Sequence, residues 1–439
     1  MRYFKKFLVL LLILVFSFNM NIFASDSDIM EDDDRGLFSN DESTQEPEKE
    51  KKRVWDRFFE IGFDVNAGVS NNYFAISDIL REEIVINMDK LNRGIGNSGL
   101  AFNENTNVDF FMNINTSIFK ASFFADFEVK MNAFIGKGLF DFLANGNELD
   151  KEFVIGVGLG ASVIEENSFS LEIPFDKIKV KAVPSYYVPL LYVPYTDLNV
   201  ATVIKSDGTI SAHGQTSAAA YSSLPINNLD SLSTDSILNA LGKGGVDISL
   251  YGEYKLLSNL DVGAFLAQIP LAPAKLSCGY KYSANIDFSM DGILSLLSND
   301  KESDLFNFDY NLSDNEATEN DIIRFVRPFK IGINANWRVF DSNILIISPM
   351  LQFKFADFTL KNSLGFGFDY SVTAKSYLGP LVPSFTSSYV NSIFTQQLTI
   401  ALNLRVIELD FVVSTQSRNF FRSFAGSGLG VGIGFRLGI

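Results

Sequence analysis

The chain has 439 residues, 47% of them hydrophobic and 20% charged, and carries a formal net charge of -16. A single cysteine, Cys278, excludes an intramolecular disulfide, and a single histidine, His213, removes most imidazole chemistry. The acidic balance argues against a nucleic-acid partner, because phosphate binding needs basic surface.

The first 24 residues read as a targeting signal. Arg2, Lys5 and Lys6 precede an apolar run from Phe7 to Phe18, and Ala24 offers a small residue before the acidic Ser25-Asp26-Ser27-Asp28. The alternative is an uncleaved anchor. No cysteine stands near the cut, so lipoprotein processing is not expected. No later segment supplies the roughly 18 consecutive apolar residues of a spanning helix. Residues 25–54 form an acidic, Ser/Asn-rich leader with Asp32-Asp33-Asp34 and Glu46 to Glu50. Such a stretch buries too little apolar surface to fold alone and is expected to be disordered; a pore plug is the alternative.

From residue 55 the pattern turns to period two. Phe59, Ile61, Phe63, Val65, Ala67 and Val69 alternate with Glu60, Gly62, Asp64, Asn66 and Gly68. Successive side chains of a strand point to opposite faces, so one face is apolar and the other polar. Residues 119–133 and 329–339 repeat the alternation. These runs exceed the usual strand of a soluble sandwich and match the 9–11 residues, or slightly more, of a tilted transmembrane strand. The fold class expected over 55–439 is an all-β, antiparallel transmembrane barrel with short helices in its loops. Strands are predicted at 58–69, 107–117, 119–134, 152–164, 168–182, 246–256, 260–269, 275–288, 328–339, 344–355, 359–370, 394–405, 409–417 and 428–439. That makes about 14, within a range of 12–16. Asp304 to Leu312 and the pair flanking Ser206-Asp207-Gly208 are alternative strands. With the termini periplasmic, 70–106, 135–151, 183–245, 371–393 and 418–427 fall outside, and Glu165-Glu166-Asn167 and Leu257-Ser258-Asn259 are short turns. Residues 289–327 then form a long excursion on the periplasmic side. Helices are expected from Ser77 to Leu91 and at Leu139–Ala144, Asp235–Leu241 and Asp291–Leu297, packed over the rim or acting as a lid.

The last strand alternates Leu429, Val431, Ile433, Phe435, Leu437 and Ile439 with Gly430, Gly432, Gly434, Arg436 and Gly438. Gly434, Leu437 and Ile439 resemble the C-terminal signal of outer-membrane barrels, which implies the barrel-assembly machinery as a partner. The final residue is Ile where that signal has an aromatic.

Little in the chain suggests catalysis. His213 lies in Gly208 to Gly214 with Ser211 two residues away, but no nucleophile motif surrounds them, so it reads as a polar loop histidine and no enzyme is expected. One His and one Cys cannot make a zinc site, and no acidic run has calcium-loop spacing, so neither metal nor cofactor is expected. Gly156, Gly158 and Gly160 alternate with apolar residues inside a strand and read as lumen-side residues that leave room. The unusual stretch is Pro184 to Tyr195, with Pro184, Pro189 and Pro194. Prolines lack the ladder donor, which predicts an apolar loop at the barrel mouth or folded into the lumen. Tyr186, Tyr187, Leu190, Leu191, Tyr192 and Tyr195 are its candidate ligand-contacting residues.

By strand count and loop layout, the chain after residue 55 resembles the long-chain fatty-acid transporter family of outer-membrane barrels. More loosely, it is similar to uncharacterised outer-membrane barrels with helices between their first strands. The resemblance implies a location in the outer membrane, with its lipid as partner, and a porin or transporter passing small or hydrophobic solutes. Two other readings stay open: a surface-exposed adhesin or structural barrel without transport, and a soluble periplasmic β-protein whose apolar face packs on a second sheet.

Overall fold

Period-two patterning is realised as strands whose two faces meet opposite surroundings. The computed structural model describes residues 57–439 apart from 76–85, 98, 147, 225–233, 277, 291–305, 317–321, 341–343, 356–365, 391–392 and 425. The expected signal peptide and leader, the helix over 291–297 and the start of the helix from Ser77 lie outside the described residues. In chain order the elements are β1 (Phe59–Asn71), α1 (Met88–Gly94), β2 (Leu100–Asn115), β3 (Lys120–Ile135), α2 (Lys137–Asn145), β4 (Glu152–Phe175) and β5 (Ile178–Ile204). There follow β6 (Ile210–Ser222), α3 (Thr234–Leu241), β7 (Gly245–Leu257), β8 (Leu260–Ala272), β9 (Ala274–Leu276), β10 (Cys278–Met290), β11 (Phe306–Glu316) and β12 (Ile323–Phe325). The last are β13 (Phe329–Arg338), β14 (Ile346–Phe355), β15 (Phe366–Lys375), β16 (Leu381–Val390), β17 (Ile393–Asn403), β18 (Ile407–Ser417), α4 (Phe420–Phe424) and β19 (Gly428–Gly438).

Fourteen of these strands close an antiparallel barrel: β1 to β5, then β7, β8 and β13 to β19. The seam pairs β1 with β19 in unbroken register from Glu60↔Gly438 to Ser70↔Gly428. Closure matters physically, because an open edge in hydrocarbon leaves unpaired N–H and C=O groups that cost several kcal/mol each. Outward residues such as Ile333, Leu398, Phe411 and Val431 are exposed, whereas inward Glu60, Asp261, Asp369 and Asp410 are buried. No second sheet covers the apolar face among the described residues, so the soluble two-sheet reading is replaced by a transmembrane-type barrel. The strands β13 to β16 have 10 residues each and β17 to β19 have 11. At about 3.4 Å per residue and a tilt near 40°, they span the ~25 Å apolar band of such a wall.

The number fourteen matches the expectation, but its membership differs. Residues 371–393 are not a loop, for they contain β16, which pairs with β15 and β17. Strand β10 is not in the wall; it pairs with β6 and β11 in a flap beyond the rim. The polar triplet Glu165-Glu166-Asn167 is not a turn, because β4 continues through it for 24 residues and turns only at Asp176-Lys177, where Asp176 has φ 47°. Residues 183–245 are not a loop either, since β5 runs 27 residues and carries the proline–tyrosine stretch. It pairs with β7 up to Tyr187↔Gly245 and, after register shifts along β4 and β6, with β6 from Asn199 onward. The pair flanking Ser206-Asp207-Gly208 does form, closed by Gly208 at φ 85°. There Asp207 accepts the Thr209 amide at 2.9 Å, a bond that holds its carboxyl below the usual range.

Termini and short connections lie at one end: 116–119, 176–177, 258–259, 339–345, 376–380 and 404–406. The long ones lie at the other: 72–99, 136–151, 205–244 and 273–328. The described residues of 289–327 thus belong to the loop end and not to the end of the termini. The rim there is packed: α1 begins at Asn87, whose side chain accepts the Lys90 amide, and α1 meets α2 through Leu91, Ile95, Leu100 and Phe140. Burying each such side chain contributes about 1.5–3 kcal/mol. These helices pack over the rim. A short fourth helix, α4, is absent from the sequence reading.

Candidate functional site

The inner face of the wall is polar and organised by two arginines. Register places Asp410, Asp64, Asp109, Asp126 and Glu166 at one level on β18, β1, β2, β3 and β4, with Gly434 between the first two. At one end of this row Arg436 lies 3.2 Å from Asp64 and 3.7 Å from both Asp410 and Glu60, with its guanidinium 4.9 Å from the Phe111 ring. At the other end Arg327 donates to both oxygens of Asp247 at 2.8 Å and binds Glu166 through both of its terminal nitrogens. Asp109 and Asp126 stand between the arginines with no ion pair among the described residues. Elsewhere on the wall, ion pairs join Lys179 to Glu253, Arg338 to Asp261 and Lys354 to Asp369.

Arg327 also anchors a structure inside the barrel. The β8–β13 ladder stops at Ala267↔Lys330, beside Gln268 at φ 58°, and the two chains then pair again as the β9–β12 ribbon. The ribbon lies against the inner face of β4, β5 and β7. Tyr187, Tyr192, Tyr221, Ala274, Leu276 and Phe325 form a buried cluster there, flanked by Ile164. The Tyr187 hydroxyl donates to the Phe325 carbonyl at 3.2 Å, and its ring lies 4.6 Å from the Arg327 guanidinium. Inward Gly245 admits the Tyr187 ring end, since a Cβ would come within 2.4 Å of its hydroxyl.

The six residues singled out from the sequence divide between the faces of β5. Tyr187 and Tyr192 belong to the lumenal cluster. Tyr195 stacks on Phe134 at 6.2 Å, over Gly158, where an added Cβ would meet both rings. That agrees with reading Gly158 as a lumen-side residue leaving room. Tyr186 faces outward; its hydroxyl donates to the Leu241 carbonyl and accepts the Gly244 amide at 3.0 Å. Leu190 contributes its carbonyl to Ser222 at 2.6 Å, and Leu191 pairs with Val163. His213 is a strand residue on β6, not a loop residue, and its Nδ1 lies 2.5 Å from Asp287. Sequence reading missed Arg327, Arg436 and the ribbon. The available signal was the period-two inward position of Arg436; nothing local marks Arg327.

Fold and interior together define a transmembrane antiparallel β-barrel with a polar inner face and an inward-folded ribbon. No family model matches the chain, and no curated protein matches it. Among solved structures it is similar to the toluene transporter TodX of P. putida, with 10% identity over 87% of this chain and 89% of that one and a TM-score of 0.44. It is also similar to the toluene transporter TbuX of Ralstonia pickettii, with 10% identity over 88% and 90% and a TM-score of 0.41.

Proposed function

We propose that the chain is an outer-membrane porin or transporter that passes small or hydrophobic solutes through its lumen. In this reading the termini are periplasmic and the long loops lie outside. Residues 1–24 are removed on export, and Gly434, Leu437 and Ile439 are read by the barrel-assembly machinery. One observation carries the solute class: Tyr187 and Tyr192 on the inner face of the wall join Tyr221 and Phe325 in an aromatic cluster inside the barrel. The cluster is covered by the β9–β12 ribbon, so a greasy solute entering from the loop end reaches it where the ribbon parts from the wall. The test is uptake of radiolabelled naphthalene by cells with and without the protein. Expression raises uptake and Leu276→Asp abolishes the gain; uptake equal to that of cells lacking the protein overturns the reading.

The row from Asp64 to Glu166 adds an expectation about ions. Two arginines face five carboxylates at this level, and Asp109 and Asp126 carry no ion pair among the described residues, so any conducting state prefers cations over anions. Planar-bilayer reversal potentials in a salt gradient measure this, and an anion preference contradicts it.

A second reading, a surface barrel without transport, is favoured by the full burial of Asp261, Asp369 and Asp410, which marks those parts of the interior as filled. Absence of both conductance and solute uptake supports that reading over the first.

A further inference from the structure

We propose that α4 is a lipid anchor seated on the outside of the barrel, with Phe420, Phe421 and Phe424 among the acyl chains of the leaflet at the loop end and Arg422 on an anionic headgroup. The inference rests on the membrane reading above. It begins with a polar patch in the wrong place. On β17 the outward residues are Leu398 and Ile400, and continuing the alternation puts Gln396 and Phe394 on the same face. Opposite them on β18 stand Thr415 and Ser417, in line with outward Phe411 and Val413. Gln396, Thr415 and Ser417 therefore point away from the lumen.

The helix shelters this patch. The Gln396 side chain donates to the Ser423 hydroxyl at 3.0 Å, and Gln396, Ser417 and Ser423 are all buried. With its serine turned to the wall, α4 shows its phenylalanines to the surroundings: Phe421 is 80% exposed and Phe424 56%. A cluster of bare rings beside a polar residue that needs cover is costly in water and favourable in lipid.

Continuity with the lipid-facing wall supports the same occupant. Outward Phe368 contacts Tyr389 at 5.2 Å, Tyr389 contacts Phe394 at 4.6 Å, and Phe394 contacts Phe420 at 5.5 Å. Phe420 then contacts Phe421 at 5.5 Å and Phe424 at 5.4 Å. The aromatic band of the wall thus runs without a break onto the helix. Exposed Arg422 spends one N–H on the Asn72 carbonyl at 3.3 Å, and a guanidinium has five, in a fork that suits phosphate.

The test uses nitroxide labels at Phe421→Cys and, separately, Phe424→Cys in a Cys278→Ser background, reconstituted in phosphatidylcholine vesicles with and without phosphatidylglycerol. Labels at Val431→Cys, on the lipid-facing wall, and Asp207→Cys, in the turn beyond the rim, serve as references. Heat-modifiable mobility certifies folding of each. At 421 and 424 the ratio of oxygen to nickel-chelate accessibility is expected to be several-fold above that at 207 and close to that at 431. A ratio like that at 207, with 431 still lipid-like, overturns the anchor and leaves the barrel standing. An aqueous ratio at 431 as well overturns the membrane reading itself. Phosphatidylglycerol is expected to deepen the 421 label, and Arg422→Gln to erase that shift; no shift, or one that survives the substitution, overturns the headgroup contact.

Discussion

The two halves of the wall are built differently. From β13 to β19 the strands are 10 or 11 residues long and in simple register. From β2 to β5 they lengthen to 16, 16, 24 and 27 residues, pass through register shifts and rise beyond the rim into the flap with β6, β10 and β11. The short side does what the bilayer requires: it spans, pairs every strand and closes. The tall side spans as well, and its extra length carries the ribbon contact, the flap and most of the aromatic interior. Closure and candidate function are therefore separated around the circumference, and substitutions on the two sides should fail in different ways.

The largest effect belongs to the short side. Removing Phe435 to Ile439 deletes the register from Glu60↔Gly438 to Phe63↔Phe435 and breaks the pairing of β19 with β18. It also removes Arg436, the cation that lies against Glu60, Asp64 and Asp410. We expect loss of outer-membrane insertion, with periplasmic accumulation or degradation. Fractionation and heat-modifiable mobility read this directly. A folded, membrane-inserted truncation would mean that closure does not depend on the seam.

Arg327→Ala is the counterpart on the tall side. It orphans Glu166 and Asp247 together, and removing one partner of a buried ion pair typically costs about 3–5 kcal/mol. The barrel seam is untouched, so the protein should still insert, with a lower unfolding midpoint in denaturant. The ribbon loses its anchor and its contact with the Tyr187 ring, so single-channel conductance should rise. Unchanged conductance at a lowered midpoint would show that the ribbon does not limit passage.

The same division explains what the sequence made legible. Most faces of the short side follow from alternation, because each wall strand there buries one face and bares the other; β16, read as part of a loop, is the exception. The last strand was legible for that reason: Leu429 to Ile439 alternates cleanly, and it closes the barrel on β1. The tall side obeys partners that local pattern does not show. Glu166 stays within a strand because Arg327, 161 residues away, meets it inside the barrel. Pro184 on the tall side and Pro383 on the short side stay in strands, opposite Ile248 and Ile400, because losing one ladder bond costs about 1 kcal/mol against many that remain. Reading those prolines as loop signals hid β16 and most of β5, and counting β10 in the wall restored the total by compensation. Of the candidate site, the tyrosines were visible as an anomaly, but which of them face the lumen depends on the bulges in β5.

Lys354→Ala tests the buried charge pairs of the short side. Lys354 lies 3.0 Å from Asp369, and both are almost fully buried, so the substitution removes the cation from beside a buried carboxylate, which also accepts from Gln352 at 2.8 Å. We expect destabilisation of about 3 kcal/mol, read as a shifted urea midpoint with conductance preserved. Lys354→Met with Asp369→Leu should recover most of the loss, since a pair of apolar residues leaves no orphaned charge.

The smallest effect is expected above the rim of the tall side, where a pair of similar length should be worth almost nothing. Lys151 lies 2.8 Å from Glu148, shorter than the Lys354–Asp369 contact, yet the two side chains are 64% and 74% exposed. Water already solvates both partners, so breaking the pair costs little desolvation, and the high local dielectric reduces the Coulomb attraction. Holding two long side chains in one geometry also costs entropy. We therefore expect Lys151→Ala to shift stability by less than about 1 kcal/mol, and by less still in high salt. The urea midpoint of this variant beside that of Lys354→Ala is the measurement. If the two shifts were equal, burial would not distinguish the halves, and the separation of a closing side from a tall, solvent-reaching side would lose its energetic basis.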